Sequence, residues 1–115
     1  MFGPARLFSS DLMLVKEDDM AEVSVVAVSI AKPGDEARLR RALVALVEPT
    51  RREPGVLQYE LHQDLAEPRR FVFVERWESE EALAAHASSA HIATWREQSI
   101  ELVERSEIRV LRKIA

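Results

Sequence analysis

The hydrophobic pattern along this chain changes period several times, and each change marks an element. Val23-Ser24-Val25-Val26-Ala27-Val28-Ser29-Ile30 is β-branched and apolar at both parities, the pattern of a strand buried on both faces. Pro33-Gly34-Asp35 makes a turn. Leu39, Ala42, Leu43, Leu46 and Val47 then fall at i, i+3, i+4, i+7 and i+8, one stripe of a helix. Pro49 is expected to kink or end that helix, and Glu53-Pro54-Gly55 closes it. Val56–Gln63 and Arg69–Glu78 read as two strands joined by the loop Asp64–Pro68, a hairpin. Alternation in the second strand puts Phe71, Phe73, Glu75 and Trp77 on one face and Val72, Val74 and Arg76 on the other. Ser79 is an N-cap for a helix over Glu80–Ala87, whose Glu80 and Glu81 suit the positive end of the dipole. Ser88-Ser89 breaks that helix and caps the next, Ala90–Glu104, with the buried stripe Ile92, Trp95, Ser99, Leu102 and Val103. Glu107–Ile114 alternates as a final strand.

The order β-α-β-β-α-β, its second helix broken, predicts an α+β fold of ferredoxin-like type: an antiparallel sheet with helices on one face. Helices cover only that face, yet Val23–Ile30 and Phe71–Val74 are apolar on both. A second copy of the sheet, related by a two-fold axis, is the economical cover, so a homodimer is expected. Residues 1–22 stand apart, a mixed run followed by Lys16-Glu17-Asp18-Asp19, and read as an N-terminal arm ahead of a domain over 23–115.

Composition narrows the chemistry. At 115 residues, 47% hydrophobic and 31% charged, the chain holds one globular domain. A net charge of −4 and a pI near 5.4 argue against a nucleic-acid partner. Cysteine is absent, which removes disulfides, thiolate metal sites and a cysteine nucleophile. The only glycines are Gly3, Gly34 and Gly55, so neither a GxGxxG turn nor a phosphate-cradling loop can be written. No apolar run nears the ~20 residues that cross a bilayer. Leu12–Val15 is short for a signal-peptide core, so a soluble, cytoplasmic protein with no membrane partner is expected.

Two segments carry a resemblance. Leu46–Leu61, running through Glu53-Pro54-Gly55 into Gln58-Tyr59-Glu60, is similar to the helix-to-strand passage of the antibiotic biosynthesis monooxygenase (ABM) family. Phe71-Val72-Phe73-Val74-Glu75-Arg76-Trp77-Glu78-Ser79, followed by Ala82-Leu83, His86 and His91, resembles that family's second signature. The likeness spans roughly Val23 to Ile114. It implies a dimeric α+β barrel with a pocket between sheet and helices. Family members include oxygenases that use neither metal nor flavin on anthrones or hydroquinones, haem degraders, and isomerases of a phosphorylated sugar. The chain departs from the first two in having no asparagine, which both use in the pocket, and no histidine follows His91 to ligate haem iron.

On this resemblance the leading expectation is a monooxygenase without cofactor, acting on a small electron-rich aromatic and molecular oxygen. Triplet oxygen reacts poorly with closed-shell molecules, so the substrate must be deprotonated into a one-electron donor. That needs a base near neutrality, a donor for reduced oxygen and an apolar enclosure. His86 and His91, with Glu75, are the candidate catalytic groups, and Tyr59, Phe71, Phe73 and Trp77 the candidate substrate wall. His62, on the opposite parity near the hairpin end, is expected at the surface. Each candidate has a structural alternative: the histidines as helix caps, Trp77 as core, Glu75 as one half of a buried pair with a histidine or an arginine. His86 and His91 lie about 140° apart on a continuous helix. Only a kink at Ser88-Ser89 would bring them to Glu75 as a His₂-carboxylate set, and no metal is expected. A ligand-binding barrel without turnover and an acid/base isomerase of the same fold are the competing readings.

Overall fold

The computed structural model describes residues 21–115. The expected arm over 1–22 lies outside them except at Ala21 and Glu22. The elements are β1 (Val23–Ala31), α1 (Glu36–Val44), α2 (Val47–Arg51), β2 (Val56–Gln63), β3 (Arg70–Trp77), α3 (Glu80–Ala87), α4 (Ala90–Leu102) and β4 (Val103–Leu111). They build one antiparallel sheet in the order β2-β3-β1-β4, with β1 and β3 central, the ferredoxin-like arrangement.

Register decides which side chains meet. Trp77, Glu75, Phe73 and Phe71 of β3 stand opposite Val23, Val25, Ala27 and Ser29 of β1, and Tyr59 and Leu61 of β2 stand opposite Glu75 and Phe73. This is the helix-covered face. Leu39, Leu43 and Leu46 pack on it from the α1 side and Ile92 and Leu102 from α4, closing one core. The other face carries Val26, Val28, Val72 and Val74, all partly buried within the sheet and covered by no helix among the described residues. Charged groups ring it: Arg76 bonds Glu22 and Gln58, Arg70 pairs with Asp64, and Arg109 with Glu107.

Two boundaries differ from the sequence reading. The first helix breaks at Ala45-Leu46, before Pro49. Pro49 sits instead in the first turn of the five-residue α2, where its missing N–H has no intrahelical partner to lose. The last helix ends at Leu102 and becomes strand at once, because Val103 pairs with Ala31 and the Leu102 carbonyl accepts from the Lys32 N–H at 2.9 Å. β4 therefore starts four residues earlier than alternation alone suggests.

Candidate functional site

Gly55 sets the local geometry. It adopts φ +86°, and a Cβ there would lie 2.6 Å from Cβ of Ala82, so only glycine lets the turn pass beneath α3. Its carbonyl accepts from the Glu78 N–H at 2.9 Å, and the turn is fixed below the helix that carries His86. Glu53, two residues earlier, is thereby delivered to that histidine.

The two serines of the helix break complete the assembly. Ser79 Oγ accepts from the Ala82 N–H at the start of α3, and Ser89 Oγ accepts from the Ile92 N–H at the start of α4. Ser89 Oγ also donates to the His86 carbonyl at 2.7 Å and lies 3.3 Å from His91 Nε2. The change of helix direction lets histidines from two helices converge on one atom. Glu53 Oε2 is 2.8 Å from His86 Nδ1 and 2.7 Å from His91 Nε2. A carboxylate only accepts, so both rings donate to it. His86 then carries its proton on Nδ1 and leaves Nε2 as a free lone pair. The side chains are well enclosed: 8% exposed for His86, 14% for Glu53 and 21% for His91.

Beside this group lies a cavity of about 460 Å³ between the sheet and α3–α4, within the range of small-molecule sites. Tyr59, Phe73, Glu75 and His86 line its inner end, and Trp95 and Arg96 of α4 line the helical side. Its walls are mostly apolar. Tyr59 stacks on Phe73 at 4.4 Å between ring centroids and meets the His86 ring edge-on at 5.5 Å. Trp77 lies against His86 at 4.7 Å and donates from Nε1 to Glu75 Oε1 at 2.8 Å.

Burial dominates the electrostatics. It lifts the Glu75 carboxyl to about 7, only partly offset by the Trp77 hydrogen bond and reinforced by the charge of Glu53. Burial also pulls His86 below the usual histidine range against the opposing hydrogen bond and charge of Glu53, and the charges of His91 and Arg96 add to the fall. Tyr59 is held well above the usual phenol value by burial and the charge of Glu75, with the Thr50 hydroxyl pulling back in part. Near neutrality the cavity thus offers a neutral imidazole, a carboxyl near its titration point and a phenol that keeps its proton.

Of the sequence candidates, His86, Glu75, Tyr59 and Phe73 share the cavity wall. His91 does not line it and reaches it only through Glu53 and His86. Trp77 is fully buried behind the wall as the partner of Glu75, in place of the expected histidine or arginine. Phe71 is buried farther along the sheet, outside the cavity, and His62 is exposed as expected. The His₂-carboxylate set does form, with Glu53 rather than Glu75. Its ligand atoms lie within 4.8 Å of one another, close enough to chelate a divalent ion, and as they stand the two hydrogen bonds close them on each other. Sequence reading took Glu53-Pro54-Gly55 as a helix stop within the ABM-like passage and gave Glu53 no part in the site. The acidic residue ahead of the turn becomes a site residue because α3 crosses over Gly55, a long-range fact.

The family model for antibiotic biosynthesis monooxygenases matches residues 22–98, most of the chain. The chain belongs to that family. Among curated relatives of this ABM protein, Rv0793 of Mycobacterium tuberculosis, provisionally named a monooxygenase, is 36% identical over 83 residues, 72% of this chain and 81% of that one. The solved structure of Rv0793 superimposes with a TM-score of 0.78 at 32% identity, over 83% of this chain and 97% of that one. PA3566 of Pseudomonas aeruginosa does so with a TM-score of 0.80 at 33% identity, over 84% and 98%. The family match takes in β1 to β3, α1 to α3 and most of α4, and no helix among the described residues is long and apolar enough to cross a membrane.

Proposed function

We propose that this ABM protein oxidises a small electron-rich aromatic, hydroquinone- or anthrone-like, with molecular oxygen and without metal or flavin. The observation that carries the reading is the His86 imidazole, its Nδ1 tied to Glu53 and its ring on the wall of an apolar cavity beside Glu75. Nε2 takes the phenolic proton, and the resulting anion passes an electron to oxygen. Recombination forms a carbon–oxygen bond. The O–O bond then breaks, one oxygen staying on the product and the other leaving as water, so the substrate supplies all four electrons. Glu75, poised near 7, is suited to return a proton to the developing peroxide. Tyr59 and Phe73 provide the flat wall, while His91 and Trp77 act as positioning residues that hold Glu53 and Glu75.

The uncovered sheet face, apolar at its centre and charged at its rim, packs in this reading against a second copy. The ring holds both arginines and carboxylates, the mixture that a self-complementary isologous contact can use.

The test is oxygen uptake by metal-stripped protein across hydroquinones and anthrones, beside His86→Gln and His86→Ala. Uptake well above spontaneous oxidation in the wild type and lost in both variants is expected. Uptake restored only by an added divalent ion would move the chemistry to the Glu53, His86 and His91 triad. Equal turnover under anaerobic conditions would favour an isomerase, which His86 and Glu75 on one cavity wall also suit. Saturable binding with no turnover would leave a ligand-binding barrel.

A further inference from the structure

We infer that the cavity takes an aromatic carboxylate, its rings against the apolar wall and its carboxylate on the Arg96 guanidinium. The inference rests on the reading of this cavity as the substrate site and adds to it the class of substrate. Ile92, Trp95, Arg96, Ser99 and Val103 line the cavity from one side of α4 and its continuation, so an arginine interrupts an otherwise nearly apolar stripe. Arg38, Arg69, Arg70 and Arg76 pair with carboxylates elsewhere in the fold, whereas the Arg96 side chain, exposed where the cavity meets solvent, makes no ion pair and no hydrogen bond with any of the described residues. Its five N–H donors at the wall of an apolar cavity are open to water and to a ligand.

The charge balance points the same way. The other ionisable side chains at the wall are Tyr59, Glu75 and His86. A guanidinium never loses its charge. The permanent charge at the wall is therefore positive, and a ligand that brings a carboxylate meets it with an opposite charge. A planar carboxylate matches the guanidinium fork with two parallel hydrogen bonds. Tyr59 stacked on Phe73, with Trp95 across the cavity, favours a flat ring system over an alkyl chain as the body of the ligand.

The test uses 2-naphthoate and its uncharged analogue 2-naphthylmethanol, titrated calorimetrically at about pH 6 without regard to turnover. The proteins are the wild type, Arg96→Gln and Arg40→Gln, the last changing an exposed arginine outside this cavity. Wild type and Arg40→Gln should bind the carboxylate about tenfold tighter than the alcohol, the yield of one charge-assisted pair. Arg96→Gln should lose that preference while holding its affinity for the alcohol, which also shows that it folds. Equal affinity for both probes in the wild type, a preference that survives Arg96→Gln, or binding of neither probe would overturn the proposal. Oxygen uptake is read separately, so a failed preference with intact turnover is distinct from failure of the oxygenase reading.

Discussion

Glu75 is a carboxyl placed where water cannot stabilise its charge, and that has a consequence for stability. Its folded-state value near 7 stands above the ordinary value of 4.5. Between those limits the folded chain holds a proton that the unfolded chain has released. The stability it contributes is full below about 4.5 and is lost as pH rises through 7. His86 works in the opposite sense, since its lowered value makes the unfolded chain the stronger proton acceptor below about 6.5. The two slopes oppose each other, so Glu75 is read by difference. Glu75→Gln, a neutral side chain that still accepts from Trp77, should gain stability relative to wild type between about pH 5 and about pH 8 in denaturant titrations. Parallel curves for the two proteins would show that Glu75 is ionised throughout. At this scale the sequence was half legible. The parity of Phe71-Val72-Phe73-Val74-Glu75 put a carboxyl on the buried face, and that is where it lies. Its partner came from the same strand, two residues on, where the eye looks for a histidine or an arginine.

Serines and glycine, rather than hydrophobic stripes, place the elements that form the site. The caps at Ser79 and Ser89 were readable from local chemistry, and α3 matched its expected bounds. The boundaries that failed, at Ala45-Leu46 and Leu102-Val103, were decided by packing and strand pairing that no local window contains. Gly55 and Gly34 both have positive φ, but only Gly55 lies against another element; a Cβ at Gly34 meets nothing within 4 Å. Gly34→Ala should therefore cost about 1 kcal/mol, the backbone penalty alone. Gly55→Ala should cost about 3 kcal/mol, because α3 must also move off the turn. Equal losses in the two variants would mean that α3 does not press on Gly55, and the delivery of Glu53 to His86 would need another explanation.

The whole sheet was legible from the order of elements, and the need to cover its second face from a strand apolar at both parities. In the proposed dimer that face is the contact, and Val74 lies near its centre. Val74→Glu should halve the mass measured by light scattering while leaving the far-ultraviolet spectrum unchanged, whereas an unaltered mass would place the contact elsewhere. One further consequence follows from the strand order, and it concerns time. β1 is made first and lies at the middle of the sheet, yet both of its hydrogen-bonding edges are filled late, by β3 from Arg70 and by β4 from Val103. During synthesis that apolar strand waits with both edges bare until β3 is made, and with one edge bare until β4 follows. Folding must then be concerted, built on long-range pairings that form slowly. The part of the cavity wall supplied by Ser106, Ile108 and Val110 comes from the last of these strands, so the cavity is incomplete in a nascent chain until β4 has paired with β1.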